Sequence, residues 1–406
     1  MNRGRLMNPI YIFYMLFFLG FFNFIGRGTY FIIFAGLYFI IVCKPCRLKF
    51  DIALSTVVLW AIGYTCWVFF TYGPLSVRNL LTPLAAVLCC IVGQNILRTD
   101  TMYEDFRKYY LLIALPAAFH GLINMSLNVT AYGWDFGGIR TLKDLWKSED
   151  TLATGQATYF LLLTAVVYYS FSFNRKNRKL NNAIIILIMM LGIVYNILAA
   201  SRFILYVTVI ILAVSVVLHS LRTGNNHKFR PLLIAGLICL FLFIVYDMNI
   251  FGVKSWLQSS PLILRIGRLQ ELGTDTAFSS NLRTKQIHDV MSNLSLYIWG
   301  GNPTGLLFVH NTWLSVLNTS GIIVAIPFLL VTLFALLLGL KQVFVCRIDY
   351  AVVILGFLIG TYTYFYFEPM FEGAKWLFYA FCFIFGMMSQ IDRYQSIQKK
   401  LATVGR

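Results

Sequence analysis

Apolar runs of roughly 20 residues recur along the chain, and this recurrence constrains the fold more than any other feature. Roughly 20 mostly apolar residues are what an α-helix needs to cross the hydrocarbon of a bilayer. The chain is 59% hydrophobic and only 12% charged, against about 25% charged residues in a soluble domain. Too few polar groups are present to cover the apolar surface in water, so lipid must serve as solvent. Backbone groups in hydrocarbon have to be satisfied within their own segment, which makes the runs helices. A membrane barrel would show short alternating segments instead, and none appear. The predicted fold is an all-α polytopic integral membrane protein with about twelve transmembrane helices and one large extracytoplasmic loop that itself contains helices.

The spans are expected near residues 8–25, 28–43, 51–70, 80–97, 109–127, 154–173, 181–199, 202–219, 231–247, 313–340, 350–367 and 374–390. This organises the chain as nine spans over 1–247, a large loop over 248–312, and three spans with a tail over 313–406, all in one integrated membrane domain. The basic start (Arg3, Arg5) and following apolar run read as the first span, because no small-residue cleavage site follows. The net charge of +17 does not point to nucleic acid. The cations sit in short loops between spans, as the positive-inside rule requires. With the N-terminus inside, 21 of the 33 cations fall on the inner side, including the clusters 44–49 and 174–179. Both termini are then cytoplasmic, and two long segments, 128–153 and 248–312, face outward. A long loop in a compact protein is usually functional. None of the eight cysteines lies in either long outer segment, so no disulfide is expected. The lone pair Cys43 and Cys46 lacks the companion ligands of a metal or redox site.

Four features fall on the outer side. Ser201 and Arg202 stand at a tight turn between spans seven and eight. An arginine at the membrane boundary either snorkels to the headgroups or finds an anionic partner. Arg283 precedes Ile287, Val290, Met291, Leu294 and Ile298, whose spacing predicts a helix over 282–298 with Arg283 on its apolar face. Gly300, Gly301, Pro303 and Gly305 break that helix, and His310 and Asn311 follow just ahead of span ten. Glu368 and Pro369 close span eleven, with Glu372 and Lys375 behind them.

This set resembles the O-antigen ligase and polymerase family of bacterial polysaccharide assembly. The matching pieces are the Ser-Arg at a span start, an arginine early in the late outer loop, and a Gly-rich turn. His-Asn then leads into a span with a glycine behind it (HNTWLSVLNTSG, ending at Gly321). The likeness covers roughly residues 195–345, and the segment TLATGQATYF (151–160) also looks like the corresponding stretch in some ligases. The resemblance implies a donor glycan on undecaprenyl diphosphate, a glycan or lipid acceptor, a chain-length regulator as partner, and the bacterial cytoplasmic membrane as location. Breaking the anomeric C–O bond expels a lipid diphosphate. Arginine forks suit its phosphate oxygens, which nominates Arg202 and Arg283, with Arg265 and Arg268 in support. His310 is the candidate general base for the acceptor hydroxyl, or a group that positions the diphosphate. Ser201, Asn311 and Glu368 are candidate substrate contacts. No D-x-D motif occurs outside, and the outer acids are scattered, so neither a metal nor another cofactor is expected. A polymerase of repeat units is the favoured reading, because polymerases are the more numerous and divergent branch. A ligase is the alternative. A flippase or secondary transporter is the reading from a different class, against which stand the lack of an internal repeat, the length placed in one late outer loop and the few ionisable groups inside the spans.

Overall fold

A computed structural model describes residues 8–43, 48–73, 77–134, 136, 139, 141–147, 151–172, 179–199, 201, 203–222, 282–292, 294–301 and 309–404. In chain order its helices are α1 (Pro9–Phe21), α2 (Gly28–Tyr38), α3 (Ile52–Tyr72), α4 (Val77–Ile96) and α5 (Met102–Tyr132), then α6 (Ala153–Ala157), α7 (Leu161–Ser172), α8 (Lys179–Leu198) and α9 (Phe203–Arg222). After them come α10 (Leu282–Ser292), α11 (Leu294–Tyr297), α12 (Thr312–Val345), α13 (Ile348–Phe367), α14 (Met370–Gly373) and α15 (Lys375–Val404). A two-residue hairpin, β1 (Thr141–Leu142) against β2 (Thr151–Leu152), interrupts the helices. Among the described residues, seven helices are long and apolar enough to cross a membrane. The protein is an all-α membrane protein. The expected span at 231–247 and the loop residues 248–281 and 302–308 lie outside the described residues.

The chain divides into two compact units that alternate along the sequence. Residues 1–117, 285–344 and 362–406 form unit one, and residues 118–284 and 345–361 form unit two.

Unit one begins with a helical hairpin. The first span, expected over 8–25, stops at Phe21. Asn23 and Ile25 have φ of 54° and 49°, a left-handed backbone that cannot continue a right-handed helix. The Asn23 side chain accepts a hydrogen bond from the Gly28 N–H at 3.1 Å and ties the turn. At 13 residues, α1 is about 20 Å long, short of the roughly 30 Å of hydrocarbon. The centre of the unit is the pair α4 and α15. A Cβ added at Gly93 would lie 2.2 Å from the Phe383 carbonyl, and one at Gly386 would lie 2.3 Å from that of Cys90. Lipid offers little hydrophobic drive for helix association, so close backbone approach through small residues carries the packing. Around this pair Phe13, Phe17, Trp60, Phe328, Phe365 and Phe378 are buried.

One end of unit one is polar and cationic. Asp51 caps α3 by accepting from the Leu54 N–H at 3.0 Å. The same carboxylate accepts from Gln94 at 2.6 Å and from the Ser389 hydroxyl. Arg393 donates to the Gln94 carbonyl, and Lys341 pairs with Asp392 at 2.6 Å. Lys341 and Arg393 are among the cations expected on the inner side, and the fold gathers both at this end of unit one.

In unit two the Phe160 ring fills the space left by two glycines: a Cβ at Gly121 or Gly192 would stand 2.8 or 2.4 Å from it. The expected span over 154–173 is not one helix. A 3-10 turn at Thr158–Phe160 separates α6 from α7, because the 151–160 segment is bound through its side chains to the network described below.

Candidate functional site

The site in unit one is built where α12 starts and α13 stops. Pro369 lacks the N–H that a continuing helix needs, and the chain leaves α13 through Glu368. Asn311 caps α12, its side-chain oxygen accepting from the Leu314 N–H at 3.0 Å, while its amide donates to the Tyr366 carbonyl at 3.4 Å. The Thr312 hydroxyl donates to the Glu368 carbonyl at 2.6 Å and accepts from the Met370 N–H at 3.2 Å. These bonds clamp the two chain segments together and set His310 Nδ1 3.3 Å from Glu368 Oε2. Both side chains are mostly buried, at 16% and 9% exposure. A carboxylate on Nδ1 orients the ring and leaves Nε2 to carry the lone pair. A histidine base held by a third group is the general arrangement for activating a hydroxyl.

The expected span over 313–340 is part of a longer, broken helix. At 34 residues, a straight α12 would run about 51 Å, well beyond roughly 30 Å of hydrocarbon. Gly321 breaks it with φ 67° and ψ −173°, a conformation essentially reserved for glycine. Its freed neighbour, the Ile322 N–H, donates to the Ile298 carbonyl at 2.7 Å. Gly301 meets the same break from the other side, since a Cβ there would lie 2.2 Å from the Thr319 carbonyl. The Gly-rich turn and Gly321 thus fit each other backbone to backbone. Just past the break, α12 touches α3, where a Cβ at Gly63 would be 2.5 Å from the Ile323 carbonyl.

Between α3 and the lead segment of α12 lies a cavity of about 300 Å³, to which Tyr64, Trp67 and Phe371 contribute rings and Ser315, Thr319 and Ser320 contribute hydroxyls. Ser315 is one turn after Asn311, and Phe371 is three residues after Glu368. The cavity therefore adjoins the elements that hold the His–Glu pair.

Unit two holds a second cluster, which sequence reasoning missed. His120, Asn124 and Asn128 recur every four residues on one face of α5, and all three have no exposed surface. Asn128 accepts from the Lys143 N–H at 2.8 Å, and Asn124 accepts from the Leu145 N–H at 2.9 Å while donating to Gln156 at 2.7 Å. Asp144 is thereby held 3.1 Å from His120 Nε2, accepts from the Tyr159 hydroxyl at 3.1 Å, and has Lys147 at 3.7 Å. Burial alone would raise the Asp144 pKa, but the His120 contact, Lys147 and Tyr159 together hold it below the usual carboxylate value. The signal was available as a polar stripe of period four within an apolar helix. In the sequence Asp144 is one of several scattered outer acids.

The structure brings His310, Asn311 and Glu368 together. Ser201 lies in unit two, where it is buried with its N–H on the Asn196 carbonyl, and its hydroxyl has no partner among the described residues. Arg202, Arg265 and Arg268 lie outside the described residues. Arg283 falls in α10, with its side chain outside them. The helix expected over 282–298 appears as α10 and α11. Its buried face carries Gln286 and Val290, not Met291, which is 55% exposed. Each helical residue turns about 100°, so Met291 stands off the stripe that Gln286 and Val290 define. Comparison with known proteins finds no matching family model and no matching curated sequence.

Proposed function

We propose that the protein is a surface polysaccharide polymerase of the O-antigen or capsule type. It joins undecaprenyl-diphosphate-linked repeat units on the outer face of the bacterial cytoplasmic membrane, with twelve spans, both termini cytoplasmic and the 248–312 loop outside. The observation that supports this best is the His310–Glu368 pair at 3.3 Å, held at the start of a broken span beside an aromatic and hydroxyl-lined cavity. His310 takes the proton from the acceptor hydroxyl as that oxygen attacks the anomeric carbon of the donor. Glu368 orients the imidazole and stabilises its protonated form. The bond to the diphosphate breaks, and Arg202 and Arg283 neutralise the departing charge. No metal takes part in this scheme.

Deleting the gene and resolving the surface glycan on a gel tests the reading. A polymerase loss leaves single repeat units attached. A complete absence of attached glycan would indicate a ligase instead, and a lipid-linked unit stranded inside would indicate a flippase.

A further inference from the structure

The cavity between α3 and the lead segment of α12 has a chemistry of its own. Its aromatic side is a continuous cluster: Tyr64 and Trp67 have ring centroids 5.5 Å apart, Trp67 and Tyr72 5.6 Å, and Tyr64 and Phe371 6.3 Å. Trp and Tyr are common where helices leave a membrane, with their polar tips in the headgroups. Trp67 does not fit that role. It is 8% exposed, and its indole N–H has no partner among the described residues. The opposite side, from α12, carries the Ser315, Thr319 and Ser320 hydroxyls, and Asn79 adds an amide.

These walls discriminate among ligand classes. An acyl chain gains nothing from three hydroxyls and an amide, which it would strip of water. A phosphate calls for several cations or an arginine fork, and Lys375 is one exposed cation at the rim. A neutral polyol ring matches both sides, with its C–H faces against the aromatic rings and its hydroxyls on the Ser, Thr and Asn groups. About 300 Å³ is at the lower bound of roughly 300–1,000 Å³ for small-molecule sites, suited to one or two rings and not to a polymer. Because the cavity adjoins the elements that hold His310, we infer that it is a saccharide subsite for the acceptor end of the chain, seating the sugar whose hydroxyl His310 deprotonates. The acceptor assignment rests on the polymerase reading. The saccharide assignment does not.

The test uses the full chain in lipid nanodiscs. The probe is the repeat-unit oligosaccharide released by mild acid from the host's own surface glycan, labelled at its reducing end and followed by fluorescence anisotropy. Trp67→Ala should weaken binding about tenfold or more, equivalent to about 1.4 kcal/mol. Thr319→Val, which removes a hydroxyl at nearly constant shape, should weaken it severalfold, and Trp67→Phe should retain most of it. Phe70→Ala serves as the control, since Phe70 is on the same helix but 82% exposed, and it should bind like the parent. In cells, Trp67→Ala and Thr319→Val should shorten the glycan. Unchanged binding in both Trp67→Ala and Thr319→Val, with the parent binding measurably, overturns the subsite and leaves the polymerase reading to the gel of the deletion strain. Binding that depends on Trp67 in a strain whose deletion leaves glycan length unchanged supports the saccharide site and overturns its acceptor role. No binding of the probe by the parent protein overturns the subsite as well.

Discussion

Replacing Gly321 with alanine perturbs the break on which the site in unit one depends. Gly321 has φ 67° and ψ −173°, and forcing a residue with a Cβ into that region costs about 1–3 kcal/mol. The new methyl would also stand 2.5 Å from the Trp299 carbonyl oxygen and 2.8 Å from the Gly300 nitrogen. Both are backbone atoms, so no rotamer change relieves the overlap. The 299–300 turn must move, and with it the Ile322 N–H to Ile298 hydrogen bond, whose loss leaves an unpaired donor costing about 1–3 kcal/mol in apolar surroundings. The sum is about 2–6 kcal/mol. Gly73 separates the two contributions. Its φ of 75° and ψ of 173° are nearly the same, but a Cβ there meets nothing within 4 Å, so Gly73→Ala reports backbone strain alone. Gly155 also has open space and no positive φ, so Gly155→Ala is the neutral reference. Thermal denaturation of the purified proteins in detergent, followed by the fraction eluting as monodisperse protein, should rank the variants. Taking about 2 °C per kcal/mol, as for larger domains, Gly321→Ala should fall by roughly 4–12 °C, Gly73→Ala by less, and Gly155→Ala hardly at all. A Gly321→Ala protein as stable as Gly155→Ala would refute the backbone-to-backbone fit at this break.

Further expectations concern the chemistry, the second cluster and the topology. His310→Ala should lower turnover about 10²–10⁴-fold, the usual worth of a general base, with partial rescue by imidazole. Glu368→Gln keeps the shape but removes the charge that stabilises the protonated imidazole, so turnover should fall, and unchanged turnover would remove Glu368 from the reaction. Arg202→Lys and Arg283→Lys keep the charge but lose the planar fork, so each should cut glycan assembly while expression holds. Arg347→Lys should be nearly silent, since its pairing with Asp349 is half exposed and such surface pairs are worth little. Asp144, with its pKa depressed, stabilises the fold above the unfolded carboxylate value of about 3.9. That contribution disappears as pH falls through the lower folded value. Asp144→Asn should therefore reduce thermal stability at neutral pH, with the gap to the parent closing below about pH 4, and a pH-independent gap would contradict the ionic reading. Cysteines at Ser279 and Asn177, in a background cleared of reactive thiols, should be labelled by an impermeant reagent in intact cells at 279 and not at 177. The reverse pattern would invert the topology.

Much of this protein was determined by sequence alone, because a bilayer leaves the backbone few options. The runs expected at 51–70, 202–219 and 350–367 have no stable form in hydrocarbon other than helix, so their identity and approximate ends follow from composition, and the helices run Ile52–Tyr72, Phe203–Arg222 and Ile348–Phe367. His310, Asn311 and Glu368 were also legible, as polar residues where apolar runs end. Tertiary structure decided the rest. Periodicity cannot show that α12 is broken at Gly321, because a glycine inside an apolar run is equally compatible with a straight helix. Only the opposing Gly301 and the Trp299 carbonyl make the break. Nor can it show that Asp144 comes 3.1 Å from His120, because 24 residues separate them and the loop is drawn in by side chains at Asn124 and Asn128. Nor can it show that α12 supplies a hydroxyl wall opposite Tyr64 and Trp67. Local pattern reports what a segment must bury, whereas the partner that buries it is set by contacts distant in sequence.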